Sequence, residues 1–413
     1  MAVLSALTAC SSTTHGSDAA PTLAQAQTVL SRHATAVLQH SSADFLADVD
    51  TAPAAAKYRA AQAAMIDNIT DVPLSGWTYT IAAPVTDPTE IAASVARYGR
   101  PTLLAQVTLA YTLTGIDPIP SPHGLWLTFV QQDGHVRIAG DDDVVGGGGT
   151  SWRGIWDFGP VVVARGTASL VLGHIQNAGQ LTKIASVVDA AVPAVTSVVG
   201  SGWTQRVAVL VPTSVDEMTA LTATATTGVV VDVSAVSVTD GEDPVSNEPY
   251  GQRLVLNPKG LTDLSTIGAQ IVIRHEITHL ATAAQTADTT PRWLVEGLAE
   301  YVGNLGSGQP VRTAAAELTA LVAHGKVPAA LPTDDALASA SKGAAAAYEQ
   351  AWLACRLIAA RVGQVALMRF YDAVGTATAP PGPVMAAAMN GVLHESLSSF
   401  TAQWRAYLIA QLR

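Results

Sequence analysis

The chain has 413 residues, a length that predicts two domains. Hydrophobic residues make up 49% of it and charged residues only 13%, enough for sizeable cores, and a formal net charge of −11 argues against nucleic acid or an anionic membrane surface as partner.

Residues 1–12 hold a short apolar run ending in Leu7-Thr8-Ala9-Cys10, followed by Ser and Thr. Leu-Thr-Ala-Cys resembles the lipobox of bacterial lipoproteins, in which small residues precede a Cys that is lipidated. The resemblance implies lipidation at Cys10, a signal remnant and polar tether over 1–19, and anchoring to the cell membrane through lipid on its extracytoplasmic face. The run before Cys10 is short and carries no basic residue, so the signal is expected to begin upstream of Met1. Cys355, the one other cysteine, is then left without a disulfide partner. It sits in an apolar helical run and reads as a small buried hydrophobe. No later run is expected to reach the length of a spanning helix.

Residues 20–140 predict a small α+β domain. An Ala-rich helical region over about 21–70 precedes strand-like segments at 77–82, 102–113, 125–131 and 136–139. Asp133-Gly134 is a hairpin signal between the last two. Helices followed by a curved antiparallel sheet resemble an NTF2-like cone, a likeness of element order that says little about function. His123, His135 and Asp141-Asp142-Asp143 read as solvated loop residues. Glycines at 146–149 suggest a linker over 141–150, with a second domain over 151–413.

In that second domain, strands are expected at 161–164, 168–172, 206–211, 228–236 and 253–256, with helices at 177–199 and 214–225 between them. A further helix, about 264–282, carries Ile273, Ile277 and Leu280 as an apolar stripe. On its neighbouring face lies His275-Glu276-Ile277-Thr278-His279. Two imidazoles four residues apart project from one face, as a shared metal ion requires, and Glu276 is placed to act as general base on a water at that metal. With ten His in the chain, this pattern arises by chance on the order of 0.01 times.

After a polar connection, residues 290–303 predict a second helix, with Thr290 as N-cap, Pro291 at the first position and Gly303 at the end. Glu296 and Glu300 share one of its faces. Two His and one carboxylate make a zinc site whose fourth position stays open for water.

His-Glu-x-x-His followed by Trp293-Leu294-Val295-Glu296-Gly297-Leu298-Ala299 resembles the gluzincin metallopeptidases, the superfamily of thermolysin and the aminopeptidase N type enzymes. The resemblance implies Zn2+ held by His275, His279 and Glu296, with Glu276 as catalytic base. It covers residues 265–303. Sixteen residues, 280–295, separate His279 from Glu296, slightly fewer than is usual in the family. Thermolysin-like members place an Asp four residues after the ligand Glu, bonded to a ligand His. Glu300 stands there in this chain, with a longer side chain for the same supporting role. The family also lays peptide along a sheet edge near the strand that precedes the His-Glu helix.

Beyond Gly303, helices are expected at 311–324, 344–361, 364–374 and 394–412, broken at Pro380-Pro381-Gly382-Pro383. Trp352 and Trp404 read as core. Tyr348 and His324 are candidates to stabilise the oxyanion, Tyr348 the better one by likeness to the family's downstream Tyr. The fold expected is α+β: an NTF2-like cone, then a gluzincin-type metalloprotease domain with a mixed sheet, an active-site helix and a helical C-terminal half. The function expected is that of a membrane-anchored zinc metallopeptidase acting on peptide or protein substrates. Two alternatives stay open: a catalytically inactive cell-surface binding or assembly lipoprotein, and zinc-dependent hydrolysis of something other than a peptide. No Gly-Ala-Met-Glu-Asn motif is present, which disfavours recognition of a free amino terminus.

Overall fold

The structure, a computed structural model, describes residues 19–144, 149–223, 234–259, 264–338, 341–377 and 381–413. Cys10 and most of the expected tether lie outside the described residues, as do 145–148 of the expected linker and 228–233 of one expected strand. The protein is α+β, with a four-stranded sheet, a mixed five-stranded sheet and a helical C-terminal half. It divides into two compact units. The first comprises Met1–Asp67, Trp77–Ala110 and His123–Trp152; the second comprises Asn68–Gly76, Tyr111–Pro122 and Arg153–Arg413. The division is therefore not one break at 141–150, because two short segments from the first third of the chain cluster with the second unit.

The Ala-rich region folds as α1 (Leu23–Leu38), α2 (Ser42–Ala47) and α3 (Ala56–Asn68). Thr22 and Gln25 start α1 with a reciprocal capping box. Next come β1 (Leu74–Pro84), α4 (Pro88–Tyr98), β2 (Thr102–Leu113), β3 (Ser121–Gln132) and β4 (His135–Gly140), with the strands side by side in sequence order. Asp133 and Gly134 turn the last hairpin with φ of 51° and 78°, the left-handed pair that a two-residue loop demands. The sequence reading did not predict α4, although its signals are local: Asp87 caps it, Pro88 opens it, and Gly99 closes it at φ 67°.

Two residues read as solvated loop are instead interior. His123 lies in β3, 5% exposed, with its ring stacked 3.8 Å from that of Trp152. Asp143 is buried, accepting from Tyr98 Oη at 2.9 Å and from Thr128 Oγ1, and pairing with Arg97 at 2.7 Å.

In the second unit β5 (Val161–Arg165), β6 (Ser169–His174), α5 (Ala178–Val199), β7 (Val207–Val211), α6 (Val215–Leu221), β8 (Ala235–Val238), β9 (Gly241–Glu242), β10 (Pro249–Tyr250) and β11 (Arg253–Leu256) lead to the helical half. The main sheet runs β5-β6-β7-β11-β8; β6, β7 and β11 are parallel, and antiparallel β5 and β8 form the margins. The five residues of β7 are all buried, the unbroken apolar run that a parallel strand covered on both faces requires. Ile175–Val199 is long and apolar enough to cross a membrane, which corrects the expectation that no later run is. Its apolar residues Leu181, Val188, Val192 and Val195 belong to the main core, where α5 packs on β6 and on the helix that carries the His pair.

That helix is α7 (Thr266–Thr282), capped by Ser265 and buried through Ile273, Ile277 and Leu280. It is followed by α8 (Arg292–Asn304), α9 (Val311–Ala314), α10 (Ala316–Ala323), α11 (Ala344–Val362), α12 (Gln364–Gly375), α13 (Pro381–Ala388) and α14 (Leu397–Leu412). Pro381, Gly382 and Pro383 of the expected break instead open α13, since Pro is tolerated in a first helical turn, and Pro380 lies outside the described residues. Thr290 does not cap α8: Pro291 holds the N-cap position, and Arg292 N donates to Asp334 Oδ1 at 3.0 Å from elsewhere in the chain. Gly303 does not end α8 either, since the helix runs on to Asn304. Trp404 is fully buried, as expected of core.

Within the second unit Arg253 of β11 is 4% exposed and forks onto Asp117 at 2.6 and 2.9 Å, with Tyr111 Oη accepting a third bond at 3.2 Å. Residues 111–122 thereby become part of this unit's framework. Asp117→Ala strands a buried guanidinium and should cost about 3–5 kcal/mol in urea denaturation. A loss below about 1 kcal/mol would show that the pair bears no weight.

Candidate metal centre

α7 and α8 lie against each other along the faces that carry the titratable residues. Gly303 makes the approach possible: a Cβ there would stand 2.9 Å from the Ile271 carbonyl oxygen and 3.6 Å from His275 Cβ. Its role is interior packing rather than helix termination. On the other side of α8, Gly297 lets α11 come close, since a Cβ would meet the Ala351 carbonyl oxygen at 2.5 Å and Cys355 Sγ at 2.9 Å. Cys355 is fully buried there, its thiol pKa pushed up by burial, as suits an inert packing residue.

Three donor atoms converge across this interface. His275 Nε2 and His279 Nε2 are 3.1 Å apart, and Glu296 Oε2 lies 3.5 and 3.4 Å from them. A tetrahedral ion with bonds of ~2.0–2.1 Å spaces its donors about 3.3 Å apart, so the triangle has the dimensions of one face of a zinc site. Arg292, one turn before Glu296, holds the other carboxylate oxygen at 3.5 Å and leaves Oε2 to the triangle.

A supporting chain stands behind it. Glu300 Oε1 is 3.3 Å from His275 Nδ1, and Asn304 Nδ2 donates to Glu300 Oε2 at 3.0 Å. With Nδ1 committed to Glu300, Nε2 is the nitrogen of His275 that faces the triangle. The longer Glu side chain thus reaches the ring. Asn304 was missed from sequence, though its place one turn beyond Glu300 was a readable signal.

The electrostatics are those of a site that wants a cation. Burial pulls the His275 pKa down, but Glu296 and Glu300 overcome it and raise it well above the usual imidazole value. Burial pushes the Glu296 carboxyl up, but the charges and hydrogen bonds of His279 and His275 hold it well below the usual carboxylate range. Both shifts express one attraction, which a proton satisfies when no metal does.

Glu276 does not join the triangle. Its Oε2 accepts from Ser237 N of β8 at 2.8 Å, a bond that links the His-Glu helix to the sheet margin. The strand the sequence places before the helix, β11, is interior to the sheet; β8 beside it is marginal among the described residues. Ser237 was not legible because it contributes only its backbone.

A cavity of about 410 Å³ opens beside these groups, lined by His275, Glu276 and Glu300, by Ala235 of β8, and by Tyr348 and Trp352 of α11. Trp352, 5% exposed, belongs to the main core as expected, and one side of it also borders this cavity. The Tyr348 ring lies 6.4 Å from that of His275. Burial first, then the carboxylates of Glu296, Glu276 and Glu300, raise its pKa, so the phenol stays a proton donor. His324 is not brought here: it follows α10, its Nδ1 donates to the Ala320 carbonyl at 2.7 Å, and it lines a different cavity.

No family model and no curated protein matches the chain. Among solved structures it is similar to the crystal structure of a two-domain M1 zinc metallopeptidase bound to L-arginine, with a TM-score of 0.34 and 13% identity, over 68% of this chain and 58% of that one. The site itself is formed by two histidines and one carboxylate that could hold a metal ion, with a second carboxylate on the helix of the first and a cleft beside it.

Zinc titration of metal-stripped protein should show tight binding lost in Glu296→Ala and weakened only about 10- to 100-fold in Glu300→Ala. A larger loss at Glu300 would reassign the ligand. Because metal entry displaces the proton that Glu296 and Glu300 hold on His275, affinity should fall as pH is lowered from about 8 to about 6. Constant affinity over that range would contradict the assignment.

Proposed function

We propose that the protein is a gluzincin-type zinc metallopeptidase that hydrolyses peptide bonds with Glu276 as general base. The observation that carries this reading is the triangle of His275, His279 and Glu296 donors at tetrahedral spacing, with Glu276 on the same helix lining the adjoining cleft.

His275, His279 and Glu296 would hold zinc, which would supply Lewis acidity toward a water and a carbonyl. The chain's own residues do the rest. The bond from Ser237 N fixes the Glu276 carboxylate by one oxygen and leaves the other to take a proton from water and pass it to the leaving amine. Glu300, steadied by Asn304, keeps the His275 ring oriented. Tyr348, kept protonated, donates toward the oxygen on which negative charge develops. The margin of β8 offers backbone groups with which an extended peptide pairs, so varied sequences can be held in one register.

In the same reading the chain is exported and anchored by lipid at Cys10 on the extracytoplasmic face of a bacterial cell membrane, with substrate peptide or protein and no nucleic acid partner. The first unit is read as an NTF2-like cone.

Glu276→Gln should bind one zinc per chain, like the unmodified protein, and lose cleavage by roughly 10² to 10⁴. The assay is mass spectrometry of new termini after incubation with peptide libraries and exported proteins. Zinc binding without Glu276-dependent cleavage of any substrate would replace the peptidase with the inactive binding lipoprotein. For the anchor, Cys10→Ser expressed with a complete signal should move the protein from the membrane fraction to the soluble exported pool. Unchanged retention would remove the lipid.

A further inference from the structure

The α11 wall of the cleft carries, beside Tyr348, a carboxylate that the proposed chemistry does not use. Glu349 follows Tyr348 on α11 and lines the same cavity, with Trp352 one turn further along the helix. Its two carboxylate oxygens accept from the backbone N–H groups of Glu317 and Leu318, at 3.3 and 2.6 Å, which fix the group in place without neutralising it. No ion pair to Glu349 is present among the described residues, and the cavity lining sets Glu276, Glu300 and Glu349 against His275, which Glu296 and Glu300 already engage, with no Lys or Arg. Burial lifts the Glu349 pKa, and Glu317 and Glu300 add to it against the pull of the two backbone donors. A carboxylate so placed gains from an incoming cation. Ala314 and Ala345 beside it are small, leaving room for a side chain.

We propose that Glu349 is a specificity-determining residue that receives the positively charged side chain of a substrate Lys or Arg, with Tyr348 and Trp352 flanking its aliphatic stem. The chemistry favours a side chain over a free α-amine. An ammonium on a bare backbone has no stem to cover aromatic rings, whereas Lys and Arg bury their methylenes on such rings and place the charge against π faces and carboxylate together. Charge-assisted bonds of this kind separate a basic from a neutral residue by about 10- to 100-fold.

The inference rests on the peptidase reading, and one experiment separates the two. Zinc-loaded protein is given amino-terminally acetylated peptide libraries, and kcat/KM is compared for matched peptides carrying Arg, Lys or norleucine beside the cleaved bond. The expected result is a basic preference of about 10- to 100-fold that falls to within about 3-fold in Glu349→Gln, which keeps a carbonyl oxygen for the Leu318 N–H. Should that variant not fold, Trp352→Leu carries the same test, with a several-fold drop in the preference. Cleavage without basic preference, a preference unmoved in the variants, or one that requires a free α-amine overturns the role of Glu349 and leaves the peptidase standing. If no cleavage depends on Glu276, the peptidase reading fails, and peptide binding decides the subsite. Acetylated Arg peptides held at least 10-fold more tightly than norleucine ones, with the difference lost in Glu349→Gln, support it; equal binding overturns it.

Discussion

The close contact between α7 and α8 is the constraint on which the rest of the second unit depends. Two imidazoles and a carboxylate meet at about the spacing of one ion's ligands only because Gly303 lets the helices approach until the Ile271 carbonyl would touch any side chain placed there. Such a convergence of partly buried polar groups is costly unless something satisfies it, and the scaffold is correspondingly heavy. α7 is pinned to the sheet and α5 through Ile273, Ile277 and Leu280, and α8 is pinned to α11 through Gly297. The donors are held from both sides by apolar cores, and their own mutual attraction is not required to assemble them.

The same arrangement gives the cleft two unlike walls. One is the β8 margin, which presents backbone and fixes Glu276 through Ser237 N. The other is α11, which presents Tyr348, Glu349 and Trp352. Backbone is indifferent to sequence, and side chains are not. A substrate between them would be held by the first wall and chosen by the second.

Much of this was legible from residues near one another in the chain. The spacing of His275 and His279, the apolar stripe of α7 and the pairing of Glu296 with Glu300 are properties of single helices, and helical periodicity places them. The structure then brings Tyr348 to the same cavity, while His324, equally plausible by residue type, points its ring nitrogen at its own helix. What escaped was non-local or carried by backbone. Asp334 caps α8 from 42 positions away, where local rules pointed to Thr290. Ser237 acts through its N–H, and Asp117 meets Arg253 across 136 positions. Nothing local marked Glu349, because its backbone partners belong to α10. The two misreadings of Pro381 and Gly303 share a cause: proline and glycine were taken as punctuation, where one opens a helix and the other admits a neighbour.

The central claim is that one metal ion is held by this triangle. X-ray diffraction from zinc-saturated crystals, with data collected on both sides of the zinc absorption edge, tests it without reference to any substrate. An anomalous peak is expected about 2.0–2.2 Å from His275 Nε2, His279 Nε2 and Glu296 Oε2, with Glu300 against His275 and outside bonding range of the metal. A peak bonded through Glu300 or Glu276 in place of Glu296, or no peak between α7 and α8 at saturating zinc, would contradict it.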